Sequence, residues 1–115
     1  MTVEYFEDRE AYHKIIAQSS EALTFVEFSA TWCPPCRAVA PYYDKFSEEY
    51  PKARFYKIQG TDEEDEEKDK VNKEANVYSI PTFVSFRNTK ELNRISTGNA
   101  HVLQEYIEKN YKAFA

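Results

Sequence analysis

The chain is predicted to be an α/β protein, with a central mixed β-sheet of four to five strands flanked by four helices on both faces. Three observations predict this. Short, nearly continuous apolar runs alternate with segments of helical periodicity, the pattern of strands linked by crossover helices. The last two strand-like runs are separated only by a short polar break, so the sheet should end in an antiparallel hairpin. The chain has 115 residues, enough for one core, and no internal repeat divides it, so residues 1–115 read as one domain.

Each element has its own signal. Tyr5, Tyr12, Ile15 and Ile16 stand at mixed three-to-four spacing, so a first amphipathic helix is expected over about 5–18, after a short strand at 2–4. Residues 23–30, Leu-Thr-Phe-Val-Glu-Phe-Ser-Ala, are short and nearly continuously apolar, as befits a central strand covered on both faces. Helical pattern then runs from about 34 to 50 and stops before Pro51. Pro41 lies inside it and is expected to kink it, because proline removes one backbone bond. Residues 53–59 form the next strand. Gly60 and an acidic stretch lead to a helix near 66–76. Residues 82–86 and 92–97 make the hairpin, joined by 87–91. Gly98 breaks the pattern, and Val102, Leu103, Tyr106, Ile107 and Tyr111 mark one face of a last helix.

The charge is uneven. Net charge is −5, and the segment 61–74 carries eight acids against three lysines, so the rest of the chain is balanced. No basic stripe exists for nucleic acid, and no apolar run approaches the length of a membrane span. The acidic segment reads as a solvated loop and helix face, or as a surface that steers a basic partner. The N-terminus shows neither the basic nor the apolar region of a secretory leader, and the C-terminus shows no retention or prenylation signal. A reducing, cytoplasmic location is therefore expected.

The chemistry sits at Trp32-Cys33-Pro34-Pro35-Cys36, which holds the only two cysteines. Two thiols at this spacing, between a strand and a helix, can close and reopen a disulfide across a first helical turn. Unpaired N–H groups and the helix dipole favour a thiolate there, and the thiolate is the nucleophile. Cys33 is therefore expected to be the nucleophile, at least partly exposed, and Cys36 the buried resolving thiol. The alternatives are an inert pair or half a zinc site. Zinc needs two further ligands, and His13 and His101 lack metal-ligand spacing; no metal and no bound cofactor are expected. A Cys-His hydrolase would leave the second cysteine without a role. Pro34 and Pro35 fit the first turn of a helix, where their missing N–H groups cost nothing. Pro34 narrows the freedom of the loop, while Pro35 biases Pro34 away from helical ψ.

Together, Trp-Cys-x-x-Cys-Arg after an apolar strand, Pro41 beyond it, Ser79-Ile80-Pro81-Thr82-Phe83, and Gly98 before the last helix resemble the thioredoxin family over about residues 5–112. The resemblance implies a thioredoxin fold and a Cys33–Cys36 disulfide. It implies a Glu27 beneath Cys36 that handles its proton, with Lys57 as charge partner; the other reading is a Glu27 that turns outward. It further implies a cis bond at Pro81, a backbone edge at Ile80 that pairs with substrate, and a docking face of Trp32, Ile80 and Gly98. Trp32 as a core residue and Pro81 as a plain trans turn are the alternatives.

Several positions depart from the family pattern. Pro34 replaces the usual glycine, Glu27 the usual aspartate, and Ser29 a frequent aromatic. Thr89 and Lys90 stand where a hairpin glycine is common, and the loop around 61–65 is longer. Cys-Pro-Pro-Cys-Arg is also similar to the active site of tryparedoxins. The implied activity is that of a thiol-disulfide oxidoreductase, a protein-disulfide reductase and electron carrier in cell redox homeostasis. The implied partners are disulfide-containing proteins and an NADPH-dependent thioredoxin reductase, or a low-molecular-weight dithiol such as trypanothione, with the chain a monomer. An oxidase or isomerase, or a non-catalytic binding module, remain the rival readings.

Overall fold

The computed structural model describes residues 2–115. Nine elements follow in order: β1 (Val3–Tyr5), α1 (Arg9–Gln18), β2 (Leu23–Ala30), α2 (Pro34–Glu49), β3 (Ala53–Gly60), α3 (Glu66–Glu74), β4 (Thr82–Arg87), β5 (Lys90–Ser96) and α4 (Ala100–Phe114). The five strands form one sheet in the order β1-β3-β2-β4-β5. β1 and β2 both run parallel to β3, β4 runs antiparallel to β2, and β5 antiparallel to β4.

Strand β2 is the centre. All eight of its residues are buried, because each face of the sheet carries a layer of helix. On one face Phe25, Phe55 and Phe83 pack with Val39, Tyr43 and Phe46 of α2 and Leu103 and Ile107 of α4. On the other, Val26, Phe28 and Ile58 pack with Tyr12 and Ile15 of α1, Val71 of α3 and Ala75, the residue that caps α3. Each such apolar side chain contributes about 1.5–3 kcal/mol on burial. Alternation along β2 therefore puts Phe25, Glu27 and Ser29 under α2 and α4, and Val26, Phe28 and Ala30 under α1 and α3.

Four expectations are corrected. The first helix begins at Arg9, not at Tyr5. Asp8 is extended and its side chain accepts the Ala11 N–H at 2.9 Å, and this N-cap outweighs the apolar spacing; Tyr5 ends β1, which runs one residue past the strand expected at 2–4. Helix α3 stops at Glu74 because Asn76 takes a left-handed φ of 56°. The N–H groups of Asn76 and Val77 close back onto the Lys73 and Asn72 carbonyls at 3.1 and 3.0 Å, a Schellman ending. Strand β5 starts at Lys90, because the hairpin turns on two residues only. Finally, Val102 is exposed; Leu103, Ile107 and Asn110 form the buried stripe of α4. Pro41 lies within α2, which continues through it to Glu49.

The hairpin turn explains the missing glycine. Asn88 and Thr89 both have positive φ, 55° and 67°, as a two-residue turn matched to strand twist requires. The turn is held from outside. Asn88 and Thr89 donate their N–H groups to the backbone and hydroxyl oxygens of Ser19 at 3.0 and 2.9 Å, and the Arg87 guanidinium donates to the Ser20 carbonyl at 2.9 Å. A β-branched residue in this conformation is strained. Thr89→Gly is therefore expected to raise stability by about 0.5–1 kcal/mol, the strain relief exceeding the entropy that glycine adds to the unfolded chain. Urea unfolding of the two proteins checks it.

Candidate active site

The site is built where β2 passes into α2. After Ala30 the chain turns through Thr31 and Trp32, and Cys33, in extended conformation, caps the helix. Its sulfur accepts the N–H of Cys36 at 3.3 Å. Pro34 and Pro35 occupy the first two helical positions, where no N–H is needed. The two cysteines form a disulfide, with Cα atoms 5.2 Å apart. Arg37 closes the turn by donating from its guanidinium to the Thr31 carbonyl at 2.9 Å. The α2 dipole and the single N–H of Cys36 thus meet at Cys33 Sγ, which is where a thiolate would be stabilised.

Cys36 is buried, and so is Cys33, at 4% exposure; the expected partial exposure of Cys33 is corrected. The sulfur is small and sits in a niche with Ala30 and Ile80, 3.9 Å from the Ile80 carbonyl oxygen. The Ile80–Pro81 bond is cis, and Pro81 is buried beside it. What is exposed is the surround. Trp32 is 58% exposed, and Pro34, Pro35 and Gly98 are exposed while Ile80 is half-buried. Tyr78, at 90% exposure, stands two residues before Ile80 and was not anticipated; its signal was a lone aromatic in a polar loop. Asp62, Glu63, Glu64 and Asp65 line a groove with Trp32 and Ile80, so the acidic segment borders this face.

Gly98 is fixed by close approach. A Cβ there would fall 2.6 Å from Pro35 Cβ and 3.3 Å from its Cα. The loop entering α4 is thereby pressed onto the Cys33–Cys36 turn.

Beneath the turn lies Glu27, fully buried on the β2 face that α2 covers. Cys36, Val39 and Tyr43 form the buried stripe of α2, so Glu27 and Cys36 share one sheet–helix interface. Glu27 pairs in register with Lys57 of β3, which is itself buried. Their charged atoms lie 3.6 Å apart, an ion pair just beyond hydrogen-bond reach, and neither carboxylate oxygen has a direct hydrogen-bond partner among the described residues. Burial pushes the Glu27 carboxyl up to about 7, against the pull of Lys57, with Asp44 adding slightly to the rise.

The remaining candidates lie elsewhere. His13 and His101 are exposed, paired with Glu74 and Glu105 rather than with a cysteine. Among the described residues no group of three or more His, Cys, Asp or Glu is placed to hold a metal ion, and no helix is long and apolar enough to cross a membrane.

A five-stranded mixed sheet between two helical layers, with a Cys-x-x-Cys disulfide across a helix N-terminus and a cis-proline loop against it, defines a thiol-disulfide oxidoreductase. The comparisons with known proteins agree. The thioredoxin family model matches residues 3–109, and the chain belongs to the thioredoxin family. It is 37% identical to thioredoxin-1 of Saccharomyces cerevisiae, over 94% of this chain and 98% of the relative. It is 33% identical to thioredoxin 1 of Plasmodium falciparum, over 85% and 88% of the two chains. The solution structure of oxidised thioredoxin from Plasmodium falciparum superimposes with a TM-score of 0.81 at 30% identity, covering 95% and 98% of the chains.

Two outcomes follow from this geometry. Gly98→Ala forces a methyl group onto the Pro35 ring and should cost about 1–3 kcal/mol, the range for overpacking, measured by urea unfolding. For Glu27, the folded carboxyl holds its proton up to about pH 7 while the unfolded one loses it near 4.5. Stability is therefore unpenalised below pH 4.5, falls as pH rises towards 7, and is level above. A Glu27→Gln variant lacks this slope. Between pH 4.5 and 8 the stability difference should move in favour of Gln by about 3 kcal/mol, read from denaturation of the oxidised proteins across that range.

Proposed function

We propose that this chain, as a single domain, reduces protein disulfides by dithiol–disulfide exchange. The observation that carries the reading is the placement of Cys33 Sγ at the N-terminus of α2, taking the Cys36 N–H beside the Ile80 carbonyl. In the reduced protein the Cys33 thiolate attacks one sulfur of the substrate disulfide. A Cys33–substrate disulfide forms, and the other substrate sulfur leaves as a thiolate and takes a proton. Cys36 then gives its proton to the Glu27 carboxylate and attacks Cys33 Sγ. The mixed disulfide breaks, the second substrate sulfur leaves as a thiolate and takes a proton, and the Cys33–Cys36 disulfide remains. Two electrons have passed to the substrate.

Glu27 suits the proton step because its carboxyl titrates near 7, where it can both accept and release a proton. Lys57 keeps the carboxylate form accessible. Trp32, Pro34, Pro35, Ile80 and Gly98 make the face on which substrate docks, and the Ile80 backbone beside Pro81 offers an edge for an extended segment. Reduction by an NADPH-dependent thioredoxin reductase completes the cycle, with a low-molecular-weight dithiol as the alternative donor given Cys-Pro-Pro-Cys. A reducing compartment such as the cytoplasm suits the chemistry, and the chain works as a monomer.

Removing the resolving thiol separates this reading from a binding module. Cys36→Ser should trap substrate on Cys33 as a mixed disulfide, visible on a non-reducing gel and released by dithiothreitol, and Cys33→Ser should trap none. Full biological activity in the Cys33→Ser, Cys36→Ser double variant would sink it.

A further inference from the structure

Tyr5, Lys57 and Glu27 stand side by side across three parallel strands. The register pairs Tyr5 with Lys57 and Lys57 with Glu27. All three fall on the face covered by α2, since Val3, Phe55 and Phe25, two residues before each, pack into the core on that face. The Lys57 ammonium lies 3.6 Å from the Glu27 carboxylate and 5.5 Å from the centre of the Tyr5 ring. Lys57 is only 2% exposed and Tyr5 is 52% exposed. Strand β1 ends at Tyr5 and is the sheet edge, so a half-exposed ring borders the buried ammonium there.

We propose that Tyr5 is a positioning residue for the dithiol chemistry: its ring caps the Lys57 ammonium and holds it against Glu27. A lysine stem is flexible, and its ammonium moves towards water wherever a route is open. The aromatic face attracts the cation electrostatically within about 6 Å and closes that route. The capped ammonium then stays where it favours the Glu27 carboxylate. The other groups facing Glu27 do not replace it. From α2 come Asp44, which opposes ionisation, Tyr43, a buried phenol held to the Tyr56 carbonyl, and the Cys36 sulfur; from β4 comes Phe83, its register partner. Among these neighbours Lys57 is the one cation. The inference rests on Glu27 as the proton acceptor for its functional consequence, but not for the contact itself.

The test is the Glu27 titration followed by carbon-13 NMR of its side-chain carboxyl in the oxidised protein, a readout independent of turnover. Tyr5→Leu keeps an apolar side chain but removes the π face, and should raise the Glu27 midpoint by about half a unit to one unit. Tyr5→Phe keeps the ring and should leave it within about 0.2 units. In a Lys57→Met background, Tyr5→Leu should have no further effect. The proposal is overturned if Tyr5→Leu leaves the midpoint in place, if Tyr5→Phe moves it as far as Tyr5→Leu, or if the Tyr5→Leu shift persists without Lys57. The pH profile of the resolving step should move with the midpoint. A profile that stays flat while the midpoint moves would uphold the cap and remove Glu27 from the proton step.

Discussion

Everything at the site depends on the N-terminus of α2 being pointed at one sulfur atom. The Cys36 N–H to Cys33 Sγ contact at 3.3 Å exists because β2, buried along its whole length, delivers the chain at a fixed point above the sheet. Two prolines begin the helix without wasting a donor. The helix terminus favours negative charge by about 0.3–1 kcal/mol when exposed and up to about 2 kcal/mol when partly buried. Cys33, at 4% exposure, belongs to the second case. Burial of the sulfur opposes ionisation, so the niche works only because the Cys36 N–H and the helix dipole are already in place before any thiolate forms.

Glu27 answers a different constraint. A carboxyl in a fully buried strand costs several kcal/mol to ionise, and an apolar residue there would pack better. Its neighbour Lys57 offsets part of this but stays at 3.6 Å, outside hydrogen-bond distance. The carboxyl is left poised, near 7, rather than locked in either form. That balance is useless for stability and suited to proton transfer. At the sheet edge the three-residue β1 brings the Tyr5 ring to within 5.5 Å of the lysine ammonium.

Much of this was legible in the sequence, and the reasons are chemical. The central strand and the Cys-x-x-Cys helix start are set by local residue pattern, whereas the Ile80-Pro81 loop and the Glu27–Lys57 pairing were legible only through the resemblance to the thioredoxin family. What sequence misjudged depends on partners distant in the chain. Tyr5 fits a helical stripe as well as a strand, and only the Asp8 cap and pairing with β3 decide it. Cys33 is buried by Ile80, nearly fifty residues away in the chain. Thr89 accepts a left-handed φ because Ser19 and Arg87 brace the turn. Val102 stands beside the apolar stripe of α4 and faces solvent, since the stripe turns to bring Asn110 against Asn93 at 3.0 Å.

The most direct test of the account is the equilibrium reduction potential of the Cys33–Cys36 pair, measured against a defined glutathione or dithiothreitol buffer at pH 7. A reductase of protein disulfides requires a value at or below the cytosolic glutathione poise, about −220 mV or lower, and the account predicts that result. A value near −180 mV or higher, the range of isomerases and oxidases, would contradict it.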